Sequence, residues 1–134
     1  MPANVPAEWL RDARGDLALA SIAKTPAIRY AHLCFHAQQA AEKSLKAIFS
    51  ALDQDIPRTH DLAFLMDNLP ATTVVPLAIS TLPTLTKFAV QYRYPGQGIP
   101  VTRRDWQKAV ALARETLCWA ENTLPRLRRT KLHP

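Results

Sequence analysis

Residues 27–52 have the sequence AIRYAHLCFHAQQAAEKSLKAIFSAL, and this stretch decides the fold. It contains neither glycine nor proline, although the chain of 134 residues has 11 prolines. Alanine, leucine, lysine, glutamine and glutamate dominate it, and these are strong helix formers. Its apolar residues recur in alternating steps of three and four, as on one face of a helix, at Ile28, Ala31, Phe35, Leu45, Phe49 and Leu52. We therefore predict a long central helix over 27–52.

Two polar residues interrupt that apolar face. Gln38 and Glu42 occupy the positions that complete the spacing. Because burying an unpaired carboxylate is costly, Glu42 must be paired, protonated or directed into a cleft. His36 lies on an adjacent basic face of the same helix. These three residues are candidate ligand-binding residues.

The composition is that of a single globular domain, with 48% hydrophobic and 21% charged residues. A formal net charge of +6 is compatible with an anionic partner. Cys34 and Cys118 lie in apolar helical settings, so we expect buried, reduced thiols and a cytoplasmic protein. No apolar run reaches the ~18 residues of a membrane span, and charged residues interrupt the N-terminal region as they would not in a signal peptide.

The rest of the chain has the pattern of further helices broken by prolines. We predict a first helix over 6–23, a short third helix capped by Thr59 or His60 and ending at Pro70, one helix or a broken pair within 71–94, and a last helix from Thr102 to Leu124. In the broken pair, the second helix runs from about Leu82 to Tyr92. Gly15 in the first helix marks a close contact, and Thr102 with Asp105 resembles a capping box. The prediction is an all-α, up-and-down four-helix bundle with an additional short helix, forming one domain over 1–134 with its core at about 9–124 and a basic tail over 125–134.

Metal and cofactor sites are not indicated. His32 and His36 are four residues apart, but no third ligand is apparent, and a hydrogen-bonded or solvent-facing pair is favoured over a metal site. The G-x-G at Gly96 and Gly98 has no preceding strand, unlike a phosphate-binding loop. We therefore expect neither a metal nor a cofactor.

The segment from Tyr92 to Tyr94 is the other candidate site. The planar guanidinium of Arg93 can bind phosphate while the tyrosine rings stack on bases. Alternatively, Arg93 pairs with an internal carboxylate such as Glu42, and the tyrosines cover the end of the bundle. The residues alone leave both interpretations open.

Four segments in this order resemble the HEPN domain family (higher eukaryotes and prokaryotes nucleotide-binding). They are the opening with Trp9-Leu10 and Asp16-Leu17, then FHAQQAAEKSLKAIF, RTHDLAFLMDNL and AVQYRYPG. The resemblance spans roughly residues 9–124. It implies a helical bundle that is usually a homodimer, and small prokaryotic members are often encoded beside a minimal nucleotidyltransferase as a toxin–antitoxin pair.

Many members of that family are metal-independent ribonucleases whose signature is an Arg, then four to six intervening residues, then a His. Arg93 matches the Arg, but residues 97–100 are Gln, Gly, Ile and Pro, and none of them transfers a proton. The resemblance therefore favours a dimeric, non-catalytic nucleotide- or ligand-binding module that acts with a nucleotidyltransferase, with Arg93, Tyr94, Glu42, Gln38 and His36 lining its cleft. The alternatives are a ribonuclease toxin that acts on RNA with Arg93 as catalytic residue, and a purely structural dimerisation module with an internal Glu42–Arg93 ion pair.

Overall fold

The computed structural model describes the backbone of residues 5–91 and 100–132 and the side chains of residues 5–90 and 100–127. The helices are α1 (Pro6–Ala20), α2 (Tyr30–Ala51), α3 (Leu62–Asp67), α4 (Lys87–Gln91) and α5 (Arg103–Leu132). Two short 3-10 turns, Leu77–Ile79 and Leu82–Leu85, lie between α3 and α4. Because these ranges contain no strand, the all-α prediction is confirmed.

The long helix α2 lies at the centre of the bundle. It packs against α1 on one side and against α5 on another, while α3, α4 and the second 3-10 turn cover a further side. Every residue from Ser44 to Ala51 is buried. A helix that is enclosed all round needs small residues where its neighbours approach, and Ala37, Ala40, Ala41 and Ala47 are fully buried. The central position predicted for this stretch is thus explained by its alanines.

The N-terminus of α2 lies three residues later than predicted. Arg29 is the N-cap, and its backbone N–H donates to Nδ1 of His32 at 3.0 Å. The preceding helix α1 ends at Ala20, where the carbonyl accepts a 2.7 Å hydrogen bond from the indole N–H of Trp106 on α5. The centres of the Trp106 and Tyr30 rings also lie 5.5 Å apart. These contacts join the ends of the three long helices.

Asp61, rather than Thr59 or His60, caps the third helix. Its Oδ1 accepts hydrogen bonds from the backbone N–H groups of Ala63 and Phe64 at 3.0 and 3.3 Å. Thr59 instead accepts a bond from the backbone N–H of Asp61. The predicted caps were therefore wrong. Asp61 occupies the position immediately before the first helical residue, where its short carboxylate side chain reaches two backbone N–H groups that have no partner within the helix.

The segment between α3 and α4 is less helical than predicted. The helix expected from Leu82 is instead a 3-10 turn over Leu82–Leu85, with α4 beginning at Lys87. Pro76 precedes the first 3-10 turn, and Pro83 lies at the start of the second. Proline lacks a backbone N–H and fits only in the first turn of a helix. Pro76 and Pro83 therefore limit the length of these two 3-10 elements.

The last helix begins as predicted but extends further. Thr102 and Asp105 form the predicted capping box, with Thr102 N–H donating to Asp105 Oδ2 at 2.9 Å and Asp105 N–H donating to Thr102 Oγ1 at 3.1 Å. The prediction that α5 ends at Leu124 was wrong, because the helix continues through Pro125 to Leu132. Proline removes only the hydrogen bond that its own backbone N–H would donate to the preceding turn. The other backbone hydrogen bonds of the helix can still form.

Two side-chain expectations also need correction. Gly15 is exposed, and a Cβ added there would have no neighbour within 4 Å, so it does not mark a close contact. Cys34 is fully buried, and this burial raises the pKa of its thiol to about 12, whereas Cys118 is exposed. The expectation of buried thiols thus holds for Cys34 and is wrong for Cys118. In the described ranges, no helix has the length and apolarity required to cross a membrane.

Candidate functional site

Glu42 of α2 lies at the centre of a set of hydrogen-bonded polar side chains. Its Oε1 accepts a hydrogen bond from Gln38 Nε2 at 3.1 Å and lies 2.7 Å from His60 Nδ1. Its Oε2 accepts a bond from Lys46 Nζ at 2.9 Å. Because a carboxylate only accepts hydrogen bonds, Nδ1 of His60 carries the proton. We call Gln38, Glu42, Lys46 and His60 the Glu42 cluster.

The helix geometry brings three of these four residues together. Gln38, Glu42 and Lys46 are spaced by four residues and therefore share one face of α2. His60 comes from the loop before α3, and its backbone carbonyl accepts a second bond from Gln38 Nε2 at 3.2 Å. Gln39 donates to the Oε1 atom of Gln38 at 2.7 Å. The two polar residues on the apolar face are therefore fully paired, as buried polar groups generally are.

The Glu42 cluster extends from the core to the surface. The side chains of Glu42 and Lys46 are 5% and 10% exposed, whereas that of His60 is 50% exposed. Lys46 Nζ also lies 5.9 Å from the centre of the Trp9 ring on α1. A buried carboxylate that fixes one imidazole tautomer can orient a histidine for ligand binding or proton transfer, and it also ties the loop to α2.

His36 belongs to a separate group centred on Asp16. Asp16 of α1 is buried, and its two carboxylate oxygens lie 3.0 Å from His36 Nδ1 and 2.6 Å from Lys43 Nζ. His32 instead accepts the backbone N–H of Arg29. The two histidines thus have different hydrogen-bond partners, and the described ranges hold no group of three or more His, Cys, Asp or Glu side chains that could bind a metal.

The predicted site residues are therefore only partly brought together. Gln38 and Glu42 are hydrogen-bonded to each other, and His36 is bonded to α1. Arg93 and Tyr94 lie outside the described residues. The sequence prediction missed Lys46 as a partner of Glu42, although their spacing is typical of helical ion pairs. His60 gave no local signal for its contact with Glu42, because the two are distant in sequence.

Comparison with known families decides the identity of this bundle. The profile of the HEPN domain family matches residues 6–123, which is most of the chain. The chain belongs to the HEPN domain family. The resemblance inferred from the residues is therefore confirmed at the level of the family, and the Glu42 cluster is a feature of a HEPN domain.

Two solved structures are similar to this HEPN domain. The crystal structure of TT1696 from Thermus thermophilus is 31% identical with a TM-score of 0.76, and the match covers 87% of this chain and 96% of that one. The crystal structure of ST0689, an archaeal HEPN homologue, is 28% identical with a TM-score of 0.70, covering 90% of this chain and 98% of that one. No curated protein matches the chain.

Proposed function

We propose that this HEPN domain is a nucleotide-binding module that acts in the cytoplasm as a homodimer, together with a minimal nucleotidyltransferase in a toxin–antitoxin-like pair. Membership of the family and the net charge of +6 support an anionic ligand. The observation that carries the proposal is the Glu42 cluster. An apolar side chain at position 42 would only fill space in the core. The Glu42 carboxylate instead holds the half-exposed His60 ring by a hydrogen bond, and this ring gives the surface a polar group.

The proposed binding site combines the cluster with the Tyr-Arg-Tyr segment. Arg93 provides a planar donor for a phosphate, and Tyr94 provides a ring on which a base stacks. Gln38 and Glu42 lie buried beneath this site, where Glu42 holds His60 in position. His60, rather than His36, belongs to this site, because His36 is bonded to Asp16 while His60 is bonded to Glu42 and half exposed.

The ligand proposal is tested by calorimetric titration of adenosine and guanosine nucleotides into the parent protein and two arginine variants. Arg93→Ala should weaken nucleotide binding at least tenfold, whereas Arg11→Ala, at an exposed position on α1, should bind as the parent does. If the parent binds none of the nucleotides, the nucleotide-binding proposal is wrong. If Arg93→Ala binds normally, the assignment of Arg93 is wrong.

The partner proposal has its own test. A minimal nucleotidyltransferase encoded next to this chain should co-purify with the tagged HEPN domain when the two are co-expressed. The absence of such a neighbouring reading frame, or failure of the two proteins to co-purify at low salt, would remove the nucleotidyltransferase from the proposal and leave the nucleotide site unaffected.

A ribonuclease is the second candidate, and the Glu42–His60 contact is the observation that favours it. RNA contains its own nucleophile, so the protein needs mainly a proton acceptor and stabilisation of phosphate charge. In this mechanism, His60 removes the proton of a 2′-hydroxyl, the 2′-oxygen attacks the adjacent phosphorus, and the bond to the 5′-oxygen breaks. The leaving oxygen takes a proton from water, which gives a 2′,3′-cyclic phosphate and a 5′-hydroxyl.

This second candidate is tested with a labelled single-stranded RNA in the presence of EDTA. Cleavage should be lost in His60→Gln and retained in His36→Gln, and the DNA oligonucleotide of the same sequence should stay intact. Intact RNA after incubation with concentrated parent protein would exclude the ribonuclease. The binding module remains the leading candidate because the family's own catalytic histidine is absent from residues 97–100.

A further inference from the structure

A cleft of about 680 Å³ lies between the C-terminal half of α5 and residues 72–79. This volume is in the range of pockets that hold small molecules. None of the described residues that line it belongs to the Glu42 cluster or to the group around Asp16. The cleft is therefore separate from the part of the proposed nucleotide site that the structure describes. We call it the Trp119 cleft, after the aromatic residue in its wall.

Trp119 is held in place by the segment on the opposite side of the cleft. Its indole N–H donates a 3.1 Å hydrogen bond to the carbonyl oxygen of Val74. The Val74 side chain also lines the cleft and is 81% exposed, so most of its apolar surface is in water. An aromatic ring in the cleft can stack on Trp119 and remove apolar surface of Val74 from water, and both contacts are favourable. The cleft therefore favours an occupant that has an aromatic ring.

Two polar residues follow Trp119 on the same face of α5. Asn122 and Arg126 come three and seven residues after it, and all three residues line the cleft. Trp119 and Arg126 are about 10 Å apart along the helix axis. Because helical side chains lean towards the N-terminus, we expect the Arg126 guanidinium to extend back towards the tryptophan. A guanidinium binds a carboxylate through two parallel hydrogen bonds, so an acid group a short distance from the stacked ring meets Arg126.

Glu115 determines which way round such an occupant lies. It comes one helical turn before Trp119 and lines the end of the cleft opposite to Arg126. A negatively charged group is repelled at the Glu115 end and attracted at the Arg126 end. The cleft therefore favours one acid group, placed at the Arg126 end, with a neutral ring at Trp119.

The Thr73 hydroxyl provides a separate indication of an occupant. Its Oγ1 atom is buried and has no hydrogen-bond partner within the described ranges, whereas buried hydroxyl groups are generally paired. Thr73 also lines the cleft. A change of rotamer about the Cα–Cβ bond would turn the hydroxyl towards the cleft, where a polar atom of a ligand would give it a partner.

We propose that the Trp119 cleft binds a small aromatic carboxylate, in which a short chain joins the ring to the acid group. The ring stacks on Trp119 and covers Val74, and the carboxylate binds Arg126. This site is independent of the proposed nucleotide site, since it requires neither a phosphate group nor the Glu42 cluster. Failure of nucleotide binding would therefore leave this proposal intact, and the reverse also holds.

Calorimetric titration with three compounds that share one ring tests the proposal. They are indole-3-propionate, its neutral amide and the corresponding amine. The acid should bind at millimolar concentration or below, the amide at least tenfold more weakly, and the amine not measurably. Absence of binding by the acid, or equal binding of the acid and the amide, would overturn the proposal.

Two arginine variants separate the cleft from the net charge of the protein. Arg126→Gln should lower the affinity for indole-3-propionate to that for the amide. Arg114→Gln removes the same charge at an exposed position of α5 that is not among the residues lining the cleft, so it should bind the acid as the parent does. Equal losses in the two variants would show that the acid responds only to net charge and would contradict the site.

Thr73→Val separates a role in ligand binding from a role in folding. Valine has nearly the same shape and lacks the hydroxyl, so binding of indole-3-propionate should weaken a few-fold. The melting temperature should stay the same or rise, because the removed hydroxyl has no partner to lose. A lower melting temperature with unchanged binding would contradict the role of Thr73 in the cleft.

Thiol protection locates the bound acid on the unaltered protein. Cys118 is exposed and lines the cleft, while Cys34 is buried. Alkylation of Cys118 by iodoacetamide, followed by mass spectrometry, should slow at saturating indole-3-propionate and not at the same concentration of the amide. An unchanged rate at concentrations that saturate the calorimetric binding would place the acid elsewhere and overturn the proposal.

Discussion

Nδ1 of His60 lies 2.7 Å from Oε1 of Glu42, and the opposite oxygen of that carboxylate lies 2.9 Å from Lys46 Nζ. The contact joins a half-exposed loop residue to a carboxylate in the middle of the central helix. It fixes the protonated nitrogen of the imidazole and anchors the loop before α3 to α2. The same contact therefore has consequences for stability and for the proposed binding site.

Removal of the Glu42 carboxylate should strongly destabilise the protein. Glu42→Ala leaves Lys46 as a buried ammonium without its ion-pair partner and creates a cavity, at an expected cost of about 3–5 kcal/mol in unfolding free energy. The measurement is equilibrium urea denaturation. Glu121→Ala is the matched control, because Glu121 pairs with Arg14 at the surface and should cost less than about 1 kcal/mol. Equal losses in the two variants would contradict the account of the Glu42 cluster.

Gly15→Ala should stabilise the protein. Gly15 lies within α1, and an added methyl group has open space around it. Alanine loses less conformational freedom on folding and is a better helix former, so the unfolding free energy should rise by about 0.5–1 kcal/mol. Thermal denaturation of the two proteins provides the comparison. A lower melting temperature for Gly15→Ala would contradict the open surroundings of this position.

The capping box of α5 should make stability depend on pH. The backbone N–H of Thr102 donates to the Asp105 carboxylate, and this bond is the main reason that the pKa of Asp105 lies below its usual 3.8. A lowered folded-state pKa adds stability that is present above pH 3.8 and is lost as the pH falls through the folded-state value. The stability difference between the parent and Asp105→Asn should thus be constant above about pH 5 and shrink at lower pH. A difference that grows on acidification would contradict this assignment.

Much of the fold follows from local pattern. The central position of α2 follows from its alanines, and the start of α5 follows from Thr102 and Asp105 at capping-box spacing. The errors arise where several local rules compete. A proline usually ends a helix, but α5 continues through Pro125. The prolines of the segment before α4 predict breaks in the helix, but local pattern does not indicate that 3-10 turns replace the expected helix.

The candidate site was less predictable because its contacts join distant residues. Periodicity identified Gln38 and Glu42 as polar residues on a core-facing line, so some partner had to exist. It did not identify His60 as the partner of Glu42, because His60 lies beyond a loop. His36 lies on an adjacent face of the same helix and is included in the predicted site, but it bonds to Asp16. The direction of each histidine depends on helix packing, which no local spacing specifies.

The most direct test of the proposed binding site is the response of the histidine rings to nucleotide, observed by nuclear magnetic resonance of the 15N-labelled protein. Spectra that correlate ring nitrogens with ring protons report on His32, His36 and His60 separately once each is assigned by substitution. Saturating nucleotide should shift the ring signals of His60 and leave those of His32 and His36 nearly unchanged. Unchanged His60 signals at nucleotide concentrations that saturate the calorimetric binding would place the ligand elsewhere and contradict the central claim.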